Sequence, residues 1–163
     1  MSFSFRERRA WFERYAERAD AGELPVSVRG LKYPCACCGY PTLDGMPYEV
    51  CVLCGWEHNG QDDPHADEVW EGANHGYSLA EARRNFEHHL SMFSSERDRL
   101  AAGVDRAHEQ GLKRSLIAVF DRMPLAPAEA LEGLWEEVDR LTRLLDAEVD
   151  RVIRAAERKA KRS

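Results

Sequence analysis

All five cysteines of this 163-residue chain fall within twenty residues, in the stretch KYPCACCGYPTLDGMPYEVCVLCGWEH that begins at Lys32. Four of them repeat one form: Cys35-Ala-Cys37-Cys38-Gly39-Tyr40 and Cys51-Val-Leu-Cys54-Gly55-Trp56 both read C-x-x-C-G-aromatic. The two-residue gap lets both thiolates of a pair turn toward one point, and the glycine that follows lets the backbone curl so that its N–H groups face the sulfurs. Twelve residues separate Cys38 from Cys51, enough for a short hairpin that brings the two turns together. Four thiolates in that arrangement suit Zn²⁺, with a single iron as the alternative. The expected metal ligands are Cys35, Cys38, Cys51 and Cys54, and a closed, redox-inert zinc site is favoured. Cys37, inside the first gap, is expected to point away as a packed thiol. A Cys/His nucleophile would need His58 as base, and no third group that would orient His58 can be identified.

Charge is distributed unevenly around these residues. The formal net charge is −6, yet residues 33–82 contain no Lys or Arg and nine carboxylates: Asp44, Glu49, Glu57, Asp62, Asp63, Asp67, Glu68, Glu71 and Glu81. Between Cys54 and Gly72, His58, Asp62, Asp63, His65 and Asp67 offer hard ligands for a second site, but a solvated acidic loop is the favoured reading. After position 150 the balance reverses, with Arg151, Arg154, Arg158, Lys159, Lys161 and Arg162 against Glu157 alone. Those cations suit the negative end of a helix dipole.

The elements that position the cluster read mainly as helices. Residues 3–20 place Phe5, Phe12, Ala16 and Ala19 on one stripe, widened by Trp11 and Tyr15. Gly22 and Pro25 end that helix, and Val26 and Val28 are expected to alternate as a short strand. Residues 31–75 carry Gly, Pro and Asp at short intervals and read as turns, small strands and loops. A helix restarts at Ser78, where Glu81 completes an S-x-x-E capping box, and Leu79, Ala82, Phe86, Leu90 and Phe93 share a face. Further helices are expected at 95–110, closed by Gly111, and at 112–123, closed before Pro124. After Pro127, Leu131, Leu134, Val138, Leu141, Leu145, Val149, Val152 and Ala156 form one seam, long enough to reach across the other helices or to a second chain.

With 44% hydrophobic and 32% charged residues the composition is that of a soluble globular chain. The first twenty residues carry charge too often for a signal peptide, and no run is long enough to cross a bilayer. The expected location is the cytoplasm, where clustered cysteines read as metal ligands before disulfides.

Paired C-x-x-C-G turns resemble the rubredoxin-like module of rubrerythrins, but those proteins also carry Glu-x-x-His. The residues three before the six histidines here are Gly55, Asp62, Gly72, Asn85, Phe86 and Asp105. A closer resemblance adds Tyr33-Pro34 before Cys35, Trp56-Glu57, Gly72-Ala73-Asn74, Ser78-Leu79, Ala82-Arg83 and Asn85-Phe86. Over about 33–93 the chain resembles the bacterial cysteine-rich CPCC domain, a zinc-ribbon-like family, with Ala36 where that family's proline usually sits. The resemblance implies a metal-binding module, and for some members a place among toxin–immunity systems; it supplies no catalytic residues. Asn74 is expected to make a local turn.

The expected fold class is therefore α+β and mainly helical, a small zinc-ribbon- or rubredoxin-like module with an N-terminal helix and several C-terminal helices, the last one long. The segments divide as residues 1–30, 31–93 and 94–163. The expected function is a zinc-binding protein-interaction module whose acidic face, Asp62, Asp63, Asp67 and Glu68, meets a basic partner such as a toxin. Two alternatives are a nucleic-acid-binding ribbon using the Arg-rich helices and a thiol- or metal-dependent enzyme using His58 and the acidic loop. Fifty residues without Lys or Arg disfavour nucleic acid, and no catalytic residue is assigned. Self-association through the last helix is a further expectation.

Overall fold

The structure is a computed structural model and describes residues 3–101 and 106–162. Among the described residues, five α-helices carry a two-stranded sheet. Helix α1, Phe5–Asp20, starts at a full capping box: Ser4 Oγ accepts from the Glu7 N–H and the Glu7 carboxylate accepts from the Ser4 N–H. Its buried face is Arg8, Phe12, Tyr15, Ala16 and Ala19, so one charged side chain sits on the apolar stripe. Strands β1, Tyr33–Pro34, and β2, Pro41–Leu43, pair antiparallel around the first cysteine turn. Helix α2, Leu79–His89, begins where Ser78 Oγ accepts from the Glu81 N–H. It ends on Leu90 in a left-handed conformation, so Phe93 packs from beyond the helix.

The expected strand at Val26 and Val28 does not form. Both valines are exposed, and the buried residue is Ser27 between them, which donates to Asp139 Oδ1 at 2.5 Å while the Val28 N–H donates to Oδ2 of the same carboxylate. A side-chain carboxylate has taken the place of a partner strand.

Helix α3 spans Glu96–Ala101 and α4 spans Ala107–Arg122. The expected helix over 95–110 partly falls on 102–105, outside the described residues. Gly111, read as a terminator, lies inside α4. A mid-helix glycine costs about 1 kcal/mol, whereas burying Leu112, Leu116, Val119 and Phe120 against neighbouring elements returns roughly 1.5–3 kcal/mol apiece. Tertiary packing outweighs the local propensity. Helix α5, Leu131–Lys161, runs 31 residues, about 46 Å, and packs along α4. Its seam is buried from Leu131 to Leu145, half-buried at Val149 and Val152, and exposed at Ala156, so its basic final turns extend past the core.

Residues from all three predicted segments share one hydrophobic core. Tyr40, from the turn after Cys38, stacks on Phe120 of α4 with centroids 5.5 Å apart, and Phe12 of α1 meets the same ring edge-on at 5.9 Å. Trp135 of α5 donates its indole N–H to Tyr15 Oη, which donates to the Pro25 carbonyl. The cysteine turns thus lean on the helices as well as on each other. Among the described residues no helix is long and apolar enough to cross a membrane.

Candidate metal centre

The two C-x-x-C-G turns fold alike. In the first, the Gly39 N–H donates to the Cys35 carbonyl and the Cys35 N–H to the Tyr40 carbonyl; in the second, Gly55 donates to Cys51 and Cys51 to Trp56. Gly39 and Gly55 have φ of +79° and +84°, a backbone state that β-carbon-bearing residues rarely adopt. N–H groups point at sulfur as expected, Cys37 to Cys35 Sγ at 3.4 Å and Trp56 to Cys54 Sγ at 3.5 Å.

The four predicted ligands converge. The sulfurs of Cys35, Cys38, Cys51 and Cys54 all lie within 4.8 Å of one another, and Cys35–Cys54 and Cys38–Cys51 are each separated by 3.7 Å. A tetrahedron with metal–sulfur bonds of 2.3 Å has edges of about 3.8 Å. The donor set therefore fits a four-coordinate, thiophilic ion. All four cysteines are buried, so the cluster is closed to solvent.

Electrostatics point the same way. Burial penalises the thiolate at Cys38 and Cys54 and pushes both thiols well up. Burial acts in the same direction on Cys51, but hydrogen bonds from the other three ligand cysteines and from Thr42 overcome it and hold Cys51 well below the ordinary thiol range. Thr42 Oγ1, from β2, lies 3.0 Å from Cys51 Sγ. Buried thiols held this close share negative charge poorly, and a dication removes that conflict by taking all four as thiolates. Cys37 is equally buried but stands outside the four-sulfur set; burial raises its pKa, partly offset by a hydrogen bond to Cys54.

Distant cations support the first turn; Arg8 was not singled out from the sequence, and Arg83 was noted only within the Ala82-Arg83 motif. Arg8 of α1 donates from Nε to the Cys38 carbonyl at 2.6 Å, lies 4.8 Å from the Tyr40 ring centroid and pairs with Glu87. Arg83 of α2 donates from Nε to the Ala36 carbonyl at 2.9 Å. Lys113 of α4 is buried and donates to the Leu90 carbonyl. The second turn is held by Asn74, whose amide both accepts from the Glu57 N–H and donates to the Glu57 carbonyl. Its own carbonyl accepts from the Tyr77 N–H, closing the expected turn.

The acidic loop is not uniformly solvated. Asp62 accepts two hydrogen bonds from Arg9, at 2.7 and 2.6 Å, which lower its pKa against the opposing effect of burial. Asp63 pairs with Arg83 at 2.8 Å. These two carboxylates fasten the loop to α1 and α2, whereas Asp67 and Glu68 are exposed, Glu68 pairing with His65 and accepting from the Trp70 indole. His58 is half-buried with Nδ1 lacking a hydrogen-bond partner, so nothing orients that nitrogen as a base would require.

The fold and cluster together define a mainly helical α+β protein built around a four-cysteine site compatible with metal binding. Residues 33–106, less than half of the chain, match the family model described as cysteine-rich CPCC, and this segment contains both cysteine turns and the whole of α2 and α3. Comparison with curated proteins and with solved structures finds no match.

Proposed function

We propose that Cys35, Cys38, Cys51 and Cys54 hold one Zn²⁺ as a structural centre and that the protein acts as a binding module toward a basic protein partner. The observation that carries this reading is the closed cluster of four buried sulfurs within 4.8 Å of one another, two pairs of them at the 3.7 Å a tetrahedral thiolate site needs. Catalytic zinc keeps a position for water or substrate, and a four-thiolate site has none. The zinc would supply the cross-link between the two turns; the chain's residues shape its surroundings through Thr42, the backbone N–H groups of Cys37 and Trp56, and the clamps from Arg8 and Arg83.

The partner surface is narrower than the sequence implied. Asp62 and Asp63 have Arg partners within the chain, so the remaining face is residues 67–71, where Asp67, Glu68 and Glu71 surround exposed Val69 and half-buried Trp70. An acidic ridge with an apolar centre suits a basic partner: complementary charge speeds encounter and apolar contact slows release. An immunity-type partner, a basic toxin whose phosphate-handling site such a ridge would cover, is the biological form of this reading. A photo-crosslinker at Val69 in growing cells should capture a basic protein. Its affinity for the purified chain should fall with salt and with the triple change D67N, E68Q and E71Q, at unchanged metal content. Capture of nucleic acid that survives this change and disappears on removing residues 151–163 would contradict it.

A further inference from the structure

A cavity of about 350 Å³ lies against the outer side of the second cysteine turn, between Cys51, Cys54 and Gly55 on one wall and helices α4 and α5 on the other. Its volume is at the small end of the range for sites that enclose small molecules. Val50, Val52, Phe93 and Val149 form an apolar lining, with Val50 exposed at the rim. The polar groups are Glu109 and Lys113 from α4 and Asp146 from α5, all beyond the segment that matches the family. These charged positions are set into otherwise apolar helix faces.

Glu109 is the anomaly. It is only 2% exposed, yet its Oε2 has no hydrogen-bond partner. A buried carboxylate oxygen without a partner calls for a donor, whether a water, an ion or a ligand. Lys113, one turn on, attracts Glu109 electrostatically but makes no hydrogen bond to Oε2, since its ammonium donates to the Leu90 carbonyl. Asp146 adds a second carboxylate, which Arg29 approaches only to 3.7 Å. Burial raises the pKa of both carboxyls, with Lys113 opposing at Glu109 and Arg29 at Asp146.

We propose that this cavity binds an organic cation, a primary ammonium or guanidinium on a short aliphatic stem, with the cation on Glu109 and Asp146 and the stem against Val50, Val52, Phe93 and Val149. The lining itself carries two carboxylates against one lysine, with Arg29 reaching Asp146 from outside it at 3.7 Å. If the metal reading above holds, four thiolates around a dication add two further negative charges at its wall, and the preference for a cation strengthens. The same chemistry is presented by a free alkylamine or by the Lys or Arg side chain of a bound protein.

The test uses the full-length, metal-loaded chain and follows the methyl and aromatic NMR signals of Val50, Val52, Val149 and Phe93 during titration with agmatine, butylamine and butyrate. Agmatine and butylamine should shift these signals saturably below about 10 mM, and butyrate should not. Losing a charge-assisted hydrogen bond should weaken agmatine binding about tenfold or more in E109Q, and D146N should weaken it in the same direction. E132Q, at an exposed position outside the cavity lining, should leave it unchanged. Metal content measured on each sample separates failure of this site from failure of the zinc reading. A further titration with Nα-acetyl-arginine amide distinguishes sources: binding as tight as agmatine assigns the site to a protein side chain, and much weaker binding assigns it to a free amine. Absence of saturation, equal agmatine affinity in E109Q, or butyrate binding that is lost in K113M would overturn the proposal.

Discussion

Replacing Arg8 with alanine should loosen the first cysteine turn although Arg8 lies thirty residues from Cys38. The side chain is 4% exposed, and three contributions can be separated. Its Nε–H donates to the buried Cys38 carbonyl at 2.6 Å, and a buried hydrogen bond from a charged donor contributes about 1.5–3 kcal/mol. Its guanidinium lies over Tyr40 at 4.8 Å, worth about 0.5–2 kcal/mol. Its ion pair with Glu87 adds at most about 1 kcal/mol, because Glu87 is 54% exposed and solvent screens the pair. The ranges add to about 2–6 kcal/mol; because contributions from one side chain do not add fully, a loss of about 3 kcal/mol is expected, which for a domain of this size lowers Tm by roughly 6–12 °C. On the zinc reading proposed above the turn and its metal order together, so most of the loss should also appear as weaker metal binding, up to about a hundredfold. Thermal unfolding of the metal-loaded protein and competition with a chromophoric chelator read the two effects. Arg8→Lys keeps the charge without the planar fork and should fall between. A Tm drop under about 2 °C in Arg8→Ala, with unchanged metal affinity, would refute the idea that α1 holds the turn.

Two further outcomes follow from the same centre. Thr42→Val removes the donor at Cys51 Sγ, which raises the basicity of that thiolate and lets protons compete better; the pH of half metal loss should rise by about 0.3 unit, measured by metal release on acid titration. Chelation should disorder residues 33–60 and expose Trp56, now 1% exposed, seen as a red shift in fluorescence, while far-UV circular dichroism keeps most of the α4 and α5 signal because those helices pack on each other.

What could be read from the sequence was the local part. The C-x-x-C-G-aromatic repeat fixes its own turn through bonds within six residues, so the four sulfurs, the glycine conformations and the N–H contacts were legible. The Ser78 cap and the seam of α5 were legible for the same reason. Errors came where distant groups override local signals: Gly111 is carried through by the packing of α4, and Asp139 of α5 replaces a strand beside Val28. Arg8 and Arg83 could not be placed beside the cysteines because their partners are thirty and 47 residues away. A signal for Arg8 existed, since it falls three residues after Phe5 and four before Phe12, on the apolar stripe of its own helix. Glu109 and Lys113 precede Leu116 and Phe120 at the same spacing, which marks them as charges placed toward an interior. The carboxylates of Asp62 and Asp63 were visible, but their use as fasteners to α1 and α2 depends on contacts that no spacing rule reports.

Elemental analysis of protein purified without added metal, with Cys51→Ser and Cys37→Ser beside it, tests the central claim most directly. The unaltered chain should carry about one zinc per molecule, Cys51→Ser should lose it because an oxygen ligand is a poor substitute for thiolate, and Cys37→Ser should keep it. Equal loss in both variants would contradict the ligand set, and a red chromophore bleached by reductant would contradict zinc in favour of iron.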